Sequence, residues 1–283
     1  MRRRMMAIAT LAVVALVAGA CGGAEESPPA ATPTGTPSPT FTTLQDGTLR
    51  VASCLDYAPF ETIENGEETG FDVELTEEVA KRLGLTVQWV KTDFEASFTA
   101  LAGDQYDMIA AAITATGDLG TERDQIVDFS DFYFNSRQSL AVNTTKTPDI
   151  ASTDDLKSGD TVGVGKGFTG KDWAEQNLAP KGIKLRAYTS ITDAFRDLEA
   201  GNLTGIVNDG PSSDGIVKDL SAVEVVEYID TNEKYAFAFS PSNPGLREAW
   251  NEQLADVIAD GTYTTIFQKW FPGATVPDEF AAQ

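Results

Sequence analysis

The sequence predicts an α/β protein with two sheet domains and a cleft between them. Short apolar runs rich in valine and isoleucine alternate with segments whose apolar residues recur at helical spacing. This alternation is typical of open sheets of parallel strands covered by helices. The pattern occurs in two sets, one before about residue 142 and one from about residue 144 to 232, and 283 residues suffice for two domains with cores. Ligands of such folds bind outside the carboxyl ends of the strands, so we look for a site in the segments that follow the strands.

The N-terminus has the pattern of an export signal, covering residues 1–20. Three arginines at positions 2–4 precede the apolar stretch 8–17, which is too short to span a bilayer stably and is followed by small residues. The segment that ends at Cys21 resembles a bacterial lipobox, which implies cleavage before Cys21 and lipid on that residue. A plain secretory signal with a cysteine nearby is the alternative. Residues 22–43 are rich in Pro and Thr and predict a tether without a core. We therefore expect an extracytoplasmic protein that is lipid-anchored to the cell membrane.

The globular body begins near Leu44, and short apolar runs predict its strands. Each run is bounded by polar or glycine-containing segments, as is usual for strands buried in a parallel sheet. The predicted strands are 49–53, 87–92, 107–113, 161–165, 184–188, 204–209 and 223–229.

Helices are predicted between and after these strands. They span 71–84, 94–102, a segment from about 170, 191–201 and a segment from 244 to about 260. In the first helix Asp72 is the expected cap and Gly84 the expected end, whereas in the last Asn243 is the cap, Pro244 the first-turn residue and Gly261 the end. The apolar faces of these two helices are Phe71, Leu75, Val79 and Leu83 in the first and Leu246, Trp250, Leu254 and Ile258 in the last.

Composition excludes several classes of function. The formal net charge of −22 repels nucleic acid, so no nucleic-acid partner is expected. Histidine is absent, which excludes Ser-His-Asp and Cys-His catalysis and metal sites built on imidazole. With lipid on Cys21, Cys54 is the remaining thiol and no disulfide forms within the chain. EF-hand spacing, a P-loop and a dinucleotide fingerprint are all missing, so we expect no metal, no cofactor and no ATP site.

The segments after the strands contain side chains that suit a zwitterion. Arg123 can grip a carboxylate with two parallel bonds, and the Gly-rich segment 165–170 opens a helix whose N–H groups favour an anion. Asp209 can hold an ammonium, while Tyr57 and Phe60 can cover an organic side chain. Together these groups describe an amino acid. Taken singly, Arg123 also suits a surface ion pair, Asp209 a cap and the two aromatics an ordinary core.

Six segments of the chain resemble the bacterial extracellular solute-binding proteins of family 3, the polar amino acid ABC transporter group. They occur in family order over about residues 48–273 and read DYAPFE, GFDVELTEEVAKRLG, YDMIAAAITAT…TERDQIVDFSDFYF, DDLKSGDTVGVGKGFTG, AFRDLEAGNLTGIVNDGP and ADGTYTTIFQKWFPG. The resemblance implies a two-domain periplasmic-binding-protein fold with a double-strand hinge and a ligand cleft between the domains. It implies a monomer that closes on a polar L-amino acid and docks on an ABC permease, whose ATPase supplies the energy.

The domain limits implied by the resemblance are 44–142 with 234–283 for domain one and 143–233 for domain two. The hinge is expected near 139–143 and 235–239. Two other functions stay open on this fold: a sensor that presents its closed form to a signalling receptor, and an enzyme resembling the cyclohexadienyl dehydratases, in which Asp209, Tyr57 or Cys54 would act as acid or base. The retained set of binding residues favours a protein that is not an enzyme, with no catalytic residue.

The family contacts to the main chain of the ligand carry over to five positions. Thr114 and Arg123 match the pair that binds the α-carboxylate, and Thr169 matches the helix-start residue that closes on it from the other domain. Asp209 matches the carboxylate that binds the α-ammonium, and Ala112 matches the residue whose backbone carbonyl accepts from that ammonium.

The contacts to the ligand side chain carry over less completely. Tyr57 and Phe94 match the covering aromatics, and Asn208 matches a neighbour that often reads the side chain. An acidic residue common in the family is replaced by Cys54, so Asp56 is the expected substitute.

Two further departures concern the main-chain contacts. Residues 117–120 are inserted before the run that contains Arg123, which raises the question of whether Arg123 still reaches the cleft. Position 112, often Ser or Gly, is Ala and offers only backbone groups. From these residues we expect a neutral, glutamine-like ligand ahead of a cationic one.

Overall fold

The structure is a computed structural model that describes residues 40–282. The predicted signal, Cys21 and most of the tether lie outside the described residues. Within 40–282, no helix is long and apolar enough to cross a membrane.

Strands and helices alternate along the described chain. The strands are β1 (Thr48–Ser53), β2 (Asp56–Tyr57), β3 (Glu61–Glu64), β4 (Glu67–Thr69), β5 (Thr86–Lys91), β6 (Met108–Ile109), β7 (Asp128–Phe129), β8 (Phe134–Asn143), β9 (Thr161–Gly165), β10 (Lys184–Tyr188), β11 (Gly205–Asp209), β12 (Val223–Tyr235) and β13 (Ala238–Phe239). The α-helices are α1 (Phe71–Arg82), α2 (Phe94–Ala102), α3 (Gly117–Arg123), α4 (Thr169–Asn177), α5 (Ile191–Ala200), α6 (Gly210–Ile216), α7 (Pro244–Ala259) and α8 (Thr262–Trp270).

Two five-stranded sheets organise these elements, as the sequence predicts. Sheet 1 has the order β5-β1-β6-β13-β7, and sheet 2 has the order β10-β9-β11-β8-β12. The central strand pairs are parallel, β1 with β5 and β6 in sheet 1 and β9 with β10 and β11 in sheet 2. A small antiparallel sheet, β2-β3-β4, follows β1. The α/β class predicted from the alternation of elements is therefore confirmed.

The chain crosses between the sheets twice, from β7 to β8 and from β12 to β13. Next to the crossings, β8 and β12 form an antiparallel pair in which Phe134 faces Tyr235 and Ser136 faces Glu233. The predicted hinge segment 139–143 lies inside β8, where it pairs with β11 and β12. The first crossing is therefore upstream of that segment, at residues 130–133.

The long helices follow their predicted apolar faces, although the predicted cap Asp72 is wrong. Phe71, Leu75 and Val79 are fully buried, and so are Leu246 and Trp250 of α7. Gly70, not Asp72, is the residue before α1, and the buried Asp72 makes tertiary contacts instead. Asn243 is at the predicted cap position of α7 but makes no side-chain cap bond, and its Nδ2 donates to the Thr42 carbonyl at 2.7 Å.

The strand predicted at 107–113 is much shorter in the structure. Only Met108 and Ile109 pair as a strand. Beyond them the backbone turns, and Ala112 adopts a positive φ of 46°, which ends the strand at the edge of the candidate site. Helices α3, α6 and α8 were not predicted.

Candidate ligand-binding cleft

The segments that follow the strands of both sheets meet around one small cavity. Its lining residues are Cys54, Tyr57, Phe94, Ala111, Ala112, Thr114, Arg123, Phe168, Thr169 and Asp209. The free space between them is ≈ 10 Å³, about what a single water molecule needs. A ligand of amino-acid size therefore requires the walls of the cavity to move apart.

Seven of the nine predicted ligand-binding residues line this cavity, and two lie beside it. The lining ones are Tyr57, Phe94, Ala112, Thr114, Arg123, Thr169 and Asp209. Asn208 is buried behind the cavity, where its Oδ1 accepts from the Tyr57 hydroxyl at 3.2 Å and its Nδ2 donates to Ser213 Oγ at 3.3 Å. Asp56 lines a neighbouring cavity. The binding role of each residue remains a prediction.

The four inserted residues form the first half of α3, the helix that carries Arg123. Gly120 is buried in this helix, and a Cβ added to it would lie 2.4 Å from the backbone carbon of Ala115. Glycine is therefore required for the helix to pack this closely on the preceding segment. The insertion leaves Arg123 at the C-terminal end of α3, with its side chain in the cavity wall.

Arg123 joins the two halves of the cleft. Its Nη1 donates to the Thr114 carbonyl at 2.7 Å and its Nη2 donates to the Gly167 carbonyl at 2.9 Å. The guanidinium carbon lies 5.3 Å from the ring centre of Phe94 and 5.1 Å from that of Phe98, within the range of cation–π attraction. Burial lowers the pKa of Arg123 to about 10, so the group is still a cation at neutral pH.

Asp209 is at the end of β11, where sheet 2 meets the cavity. Its Oδ2 accepts from the hydroxyls of Tyr57 at 2.8 Å and Tyr235 at 2.6 Å, and its Oδ1 accepts from Gln138 Nε2. Burial, and then the nearby charge of Glu233, raise the pKa of Asp209 to about 7. An ammonium placed in the cavity would favour the ionised form and supply the missing countercharge.

Glu233, on β12, connects the hydroxyls on both sides of the cleft. Its Oε2 accepts from Thr114 Oγ1 at 2.8 Å and from Thr169 Oγ1 at 2.7 Å. Its Oε1 accepts from Gln138 Nε2 at 2.9 Å. Glu233 and Gln138 were not predicted as site residues, because their contacts join residues that are far apart in the chain.

Three aromatic rings form the apolar wall. The ring of Phe168 lies 5.4 Å from that of Tyr57 and 5.2 Å from that of Phe94, edge to face in both pairs. Phe168 was not predicted as a site residue, although its place just before Thr169 in the loop after β9 was a usable signal. Gly165 is needed opposite it, since a Cβ there would lie 2.3 Å from the Phe168 ring.

The backbone at Ala112 is held by a buried carboxylate. Asp72 Oδ2 accepts from the Ala112 N–H at 2.8 Å and from the Tyr133 hydroxyl at 2.7 Å. Burial raises the pKa of Asp72 to about 7. This contact explains why the helix-start residue Asp72 is not a cap, and it fixes a backbone conformation that costs energy for a residue with a side chain.

Cys54 lines the cavity at the place where the family commonly has an acidic residue. Its thiol donates to Glu61 Oε1 at 3.1 Å, and the other oxygen of this fully buried carboxylate has no partner among the described residues. Burial, and then the charge of Glu61, raise the pKa of Cys54 well above its usual value, so the thiol stays protonated. Among the described residues no cluster of Cys, Asp and Glu could hold a metal ion.

A larger cavity of ≈ 640 Å³ adjoins the first and shares Cys54 and Phe94 with it. Its charged lining residues are three acids, Asp56, Asp93 and Asp193, and one base, Lys91. Asp93 also caps α2 by accepting from the Ala96 N–H at 3.1 Å. This acidic space borders the aromatic wall at Phe94.

Comparisons with known proteins agree on one family. The model of bacterial extracellular solute-binding proteins, family 3, matches residues 49–273. A probable histidine-binding protein of Neisseria gonorrhoeae is 31% identical over 93% of this chain and 94% of its own length. An ancestral arginine-binding protein, solved with arginine, has a TM-score of 0.74 at 33% identity, covering 80% of this chain and 98% of that one.

A third relative is a binding protein that is also described as the precursor of an enzyme. The ancestral amino acid-binding protein AncCDT-1, a precursor of cyclohexadienyl dehydratase, has a TM-score of 0.73 at 34% identity and covers 80% of this chain and 96% of its own. These relatives are binding proteins, and their shared architecture agrees with the two-domain fold expected here. With more than half of its length matched, the chain belongs to the bacterial extracellular solute-binding proteins of family 3.

Proposed function

We propose that this protein captures a polar L-amino acid in the cleft between its sheets and delivers it to an ABC importer. The observation that carries this proposal is the placement of Arg123 and Asp209, a cation and a carboxylate, in the wall of one cavity with hydroxyls and aromatic rings. Arg123 would bind the α-carboxylate and Asp209 the α-ammonium. Tyr57, Phe94 and Phe168 would cover the side chain.

We expect a cationic amino acid first and a neutral polar one second. The adjoining acidic cavity offers Asp56, Asp93 and Asp193 to a long cationic side chain, and relatives are named for histidine and arginine. This reverses the order expected from the sequence, in which the shape and charge of this second cavity could not be seen.

Two domains that close on the ligand are part of the proposal. Strand pairing supports a hinge made by the antiparallel pair of segments 134–136 and 233–235. The domain limits remain a prediction, and this pairing favours moving the first limit from residue 142 to about 133. We propose that the closed monomer then docks on a membrane permease, and that the partner ATPase supplies the energy.

Anchoring by lipid on Cys21 is a separate proposal that rests on the sequence alone. Cys21→Ser is expected to release the protein from the membrane fraction. Cys54→Ser is the matched control, because it removes the other cysteine of the chain and should leave the anchor in place. Mass spectrometry that finds an N-terminus other than a lipid-modified Cys21 in the wild-type protein would contradict the proposal.

A signalling role would use the same pocket, so a deletion strain is needed to distinguish it from import. Loss of amino-acid uptake on deletion supports the importer, whereas normal uptake with loss of a ligand response supports the sensor. A dehydratase would turn over a cyclohexadienyl substrate. We propose that this chain does not, because the proposed function assigns Asp209 and Arg123 to the ammonium and carboxylate of a bound zwitterion.

A thermal-shift screen of the purified protein against the common L-amino acids tests the proposed function. A ligand at 100 times its Kd adds about 2.7 kcal/mol of apparent stability, which corresponds to a rise in Tm of roughly 5–10 °C for a chain of this size. The D-enantiomer of each hit is the control. If no L-amino acid raises the Tm, the proposed function is wrong.

A further inference from the structure

Glu233 is a buried carboxylate on the strand pair that joins the two sheets. It is 5% exposed and faces Ser136 across the antiparallel ladder. The register of β12 against β8 shifts between Ile229 and Glu233, and such a bulge re-aims the side chain that follows it. The bulge thus accounts for a charged side chain that points inward from the β12 strand.

Four donors satisfy this carboxylate. One oxygen accepts from Thr114 Oγ1 at 2.8 Å and Thr169 Oγ1 at 2.7 Å, and the other accepts from Thr231 Oγ1 at 2.6 Å and Gln138 Nε2 at 2.9 Å. Thr114 follows β6 of sheet 1, and Thr169 is the first residue of α4, which packs on sheet 2. A single oxygen of Glu233 therefore bridges the two sides of the cleft.

The two hydroxyls that Glu233 bridges are the ones assigned above to the α-carboxylate of the ligand. Each threonine hydroxyl has one proton to donate. While Thr114 and Thr169 donate to Glu233, they cannot donate to a ligand. A second carboxylate beside Glu233 would also be repelled by it, because like charges at short distance in a dry site interact strongly.

The structure provides a place for Glu233 when it leaves these hydroxyls. A second cavity of ≈ 190 Å³ is lined by Thr114 and Thr169, and Glu233 is part of its wall together with Asp118 and Asp172. Because Glu233 already borders this cavity, its side chain has free space beside it.

We propose that Glu233 is an internal competitor of the ligand carboxylate. It holds Thr114 and Thr169 together across the cleft until the α-carboxylate takes its place, so it sets the affinity and the preference for ligands that carry a carboxylate. The inference rests on the proposed function for the identity of the displacing group. The bridge itself is independent of that function.

The first test measures preference rather than affinity alone. Titration calorimetry compares L-arginine with agmatine, its decarboxylated analogue, and L-glutamine with 4-aminobutanamide. In Glu233→Gln the preference for the amino acid over its decarboxylated analogue should rise at least tenfold, because a neutral amide competes more weakly for the hydroxyls and does not repel a carboxylate. Glu224→Gln, an exposed glutamate on the same strand, is the control and should match the wild type.

The second test needs no ligand. Small-angle scattering of the amino-acid-free protein should give a larger radius of gyration for Glu233→Ala than for the wild type, because the bridge is lost. Thr169→Val, which removes one of the two bridged hydroxyls, is a second variant and should show the same expansion. Circular dichroism checks that each variant is folded, so that Thr169→Val decides the question if Glu233→Ala does not fold.

The outcomes separate this inference from the proposed function. A wild-type protein that binds an amino acid, with an unchanged or smaller preference in Glu233→Gln, overturns the competitor while leaving the proposed function intact. A wild-type protein that binds no amino acid refutes the proposed function, and the scattering result then decides the bridge. Expansion in Glu233→Ala supports it, and an unchanged radius overturns it.

Discussion

Replacing Arg123 by alanine should remove most of the affinity for an amino acid while leaving the fold intact. Breaking a buried charge pair at a binding site costs about 2–5 kcal/mol, and each 1.4 kcal/mol is a factor of ten in Kd. The expected rise in Kd is therefore about 30-fold to several thousand-fold. The geometry supports the upper half of this range, because Arg123 is the single cation among the described residues that line the small cavity of the candidate site.

The same substitution should cost much less in stability. The carbonyls of Thr114 and Gly167 each lose a donor at 2.7 and 2.9 Å, and cation–π contact with Phe94 and Phe98 is lost. These losses are offset by the removal of a buried charge, whose cost is seen in the lowered pKa of Arg123. We expect a net loss of about 1–3 kcal/mol, or a fall in Tm of roughly 2–10 °C.

Titration calorimetry with the best ligand of the screen measures the change in Kd, and thermal unfolding followed by circular dichroism measures stability. Arg196→Ala is the matched control, because Arg196 is exposed and forms only a surface ion pair with Asp193 at 2.8 Å. Near-normal affinity in a folded Arg123→Ala protein would refute the assignment. It would mean that the inserted residues had moved the carboxylate contact to another group.

Three further predictions concern other parts of the site. Asp209→Asn should weaken binding of amino acids in calorimetry at least tenfold more than binding of their deaminated analogues, and equal losses would exclude Asp209 as the ammonium partner. Gly120→Ala should lower both the Tm and the affinity, because its Cβ would lie 2.4 Å from the Ala115 backbone, whereas an unchanged protein would show that the close packing of α3 is not required. Burial raises the pKa of Asp72 to about 7, above its value in the unfolded chain. The stability that the protonated Asp72 contributes is therefore present at pH 4 and is lost as the pH rises through 7. Urea unfolding across this range should show a decline in the free energy of unfolding, of which Asp72 accounts for on the order of 4 kcal/mol at most. Asp72→Asn should remove that share and leave the share of Asp209, whose pKa is also raised to about 7; an equal decline in the variant would contradict this.

Long elements could be predicted from the sequence because their signals are local. The strand predicted at 161–165 coincides with β9, since a buried parallel strand is a short apolar run with clear ends. The strand predicted at 184–188 coincides with β10, an edge strand in which apolar and polar residues alternate. Helix α5 likewise follows its apolar spacing. Helices α3 and α6 were missed because each contains two glycines in seven residues, which gives a weak helical signal.

The residues of the site also fall into those with a local sequence signal and those without one. Residues that follow strands, such as Arg123 and Asp209, could be proposed because the position of a ligand site is set by the fold class. Asp72 was misread as a cap because a buried tertiary contact with Ala112 overrides its local preference. Glu233 had no local signal at all, since its partners Thr114 and Thr169 are 119 and 64 residues away.

The charges of the cleft also predict which ligand should fail. The charges of two buried carboxylates, Asp209 and Glu233, act on Arg123, so the described cleft has one positive and two negative groups. A zwitterion with a neutral or cationic side chain keeps this balance or improves it, whereas an acidic side chain adds a third negative charge that needs its own cation. Lys91 lines the adjoining cavity, but it is exposed and shares that cavity with three acids. The Nζ of Lys166 is paired with Glu95 at 2.7 Å, and the Lys166 side chain is 57% exposed. We therefore expect L-arginine, L-lysine and L-glutamine to raise the Tm and L-glutamate to leave it unchanged at equal concentration. A screen in which L-glutamate gives the largest shift, with the cationic amino acids silent, would show that a lysine such as Lys91 or Lys166 binds the ligand side chain and that the proposed acidic side-chain pocket is wrong.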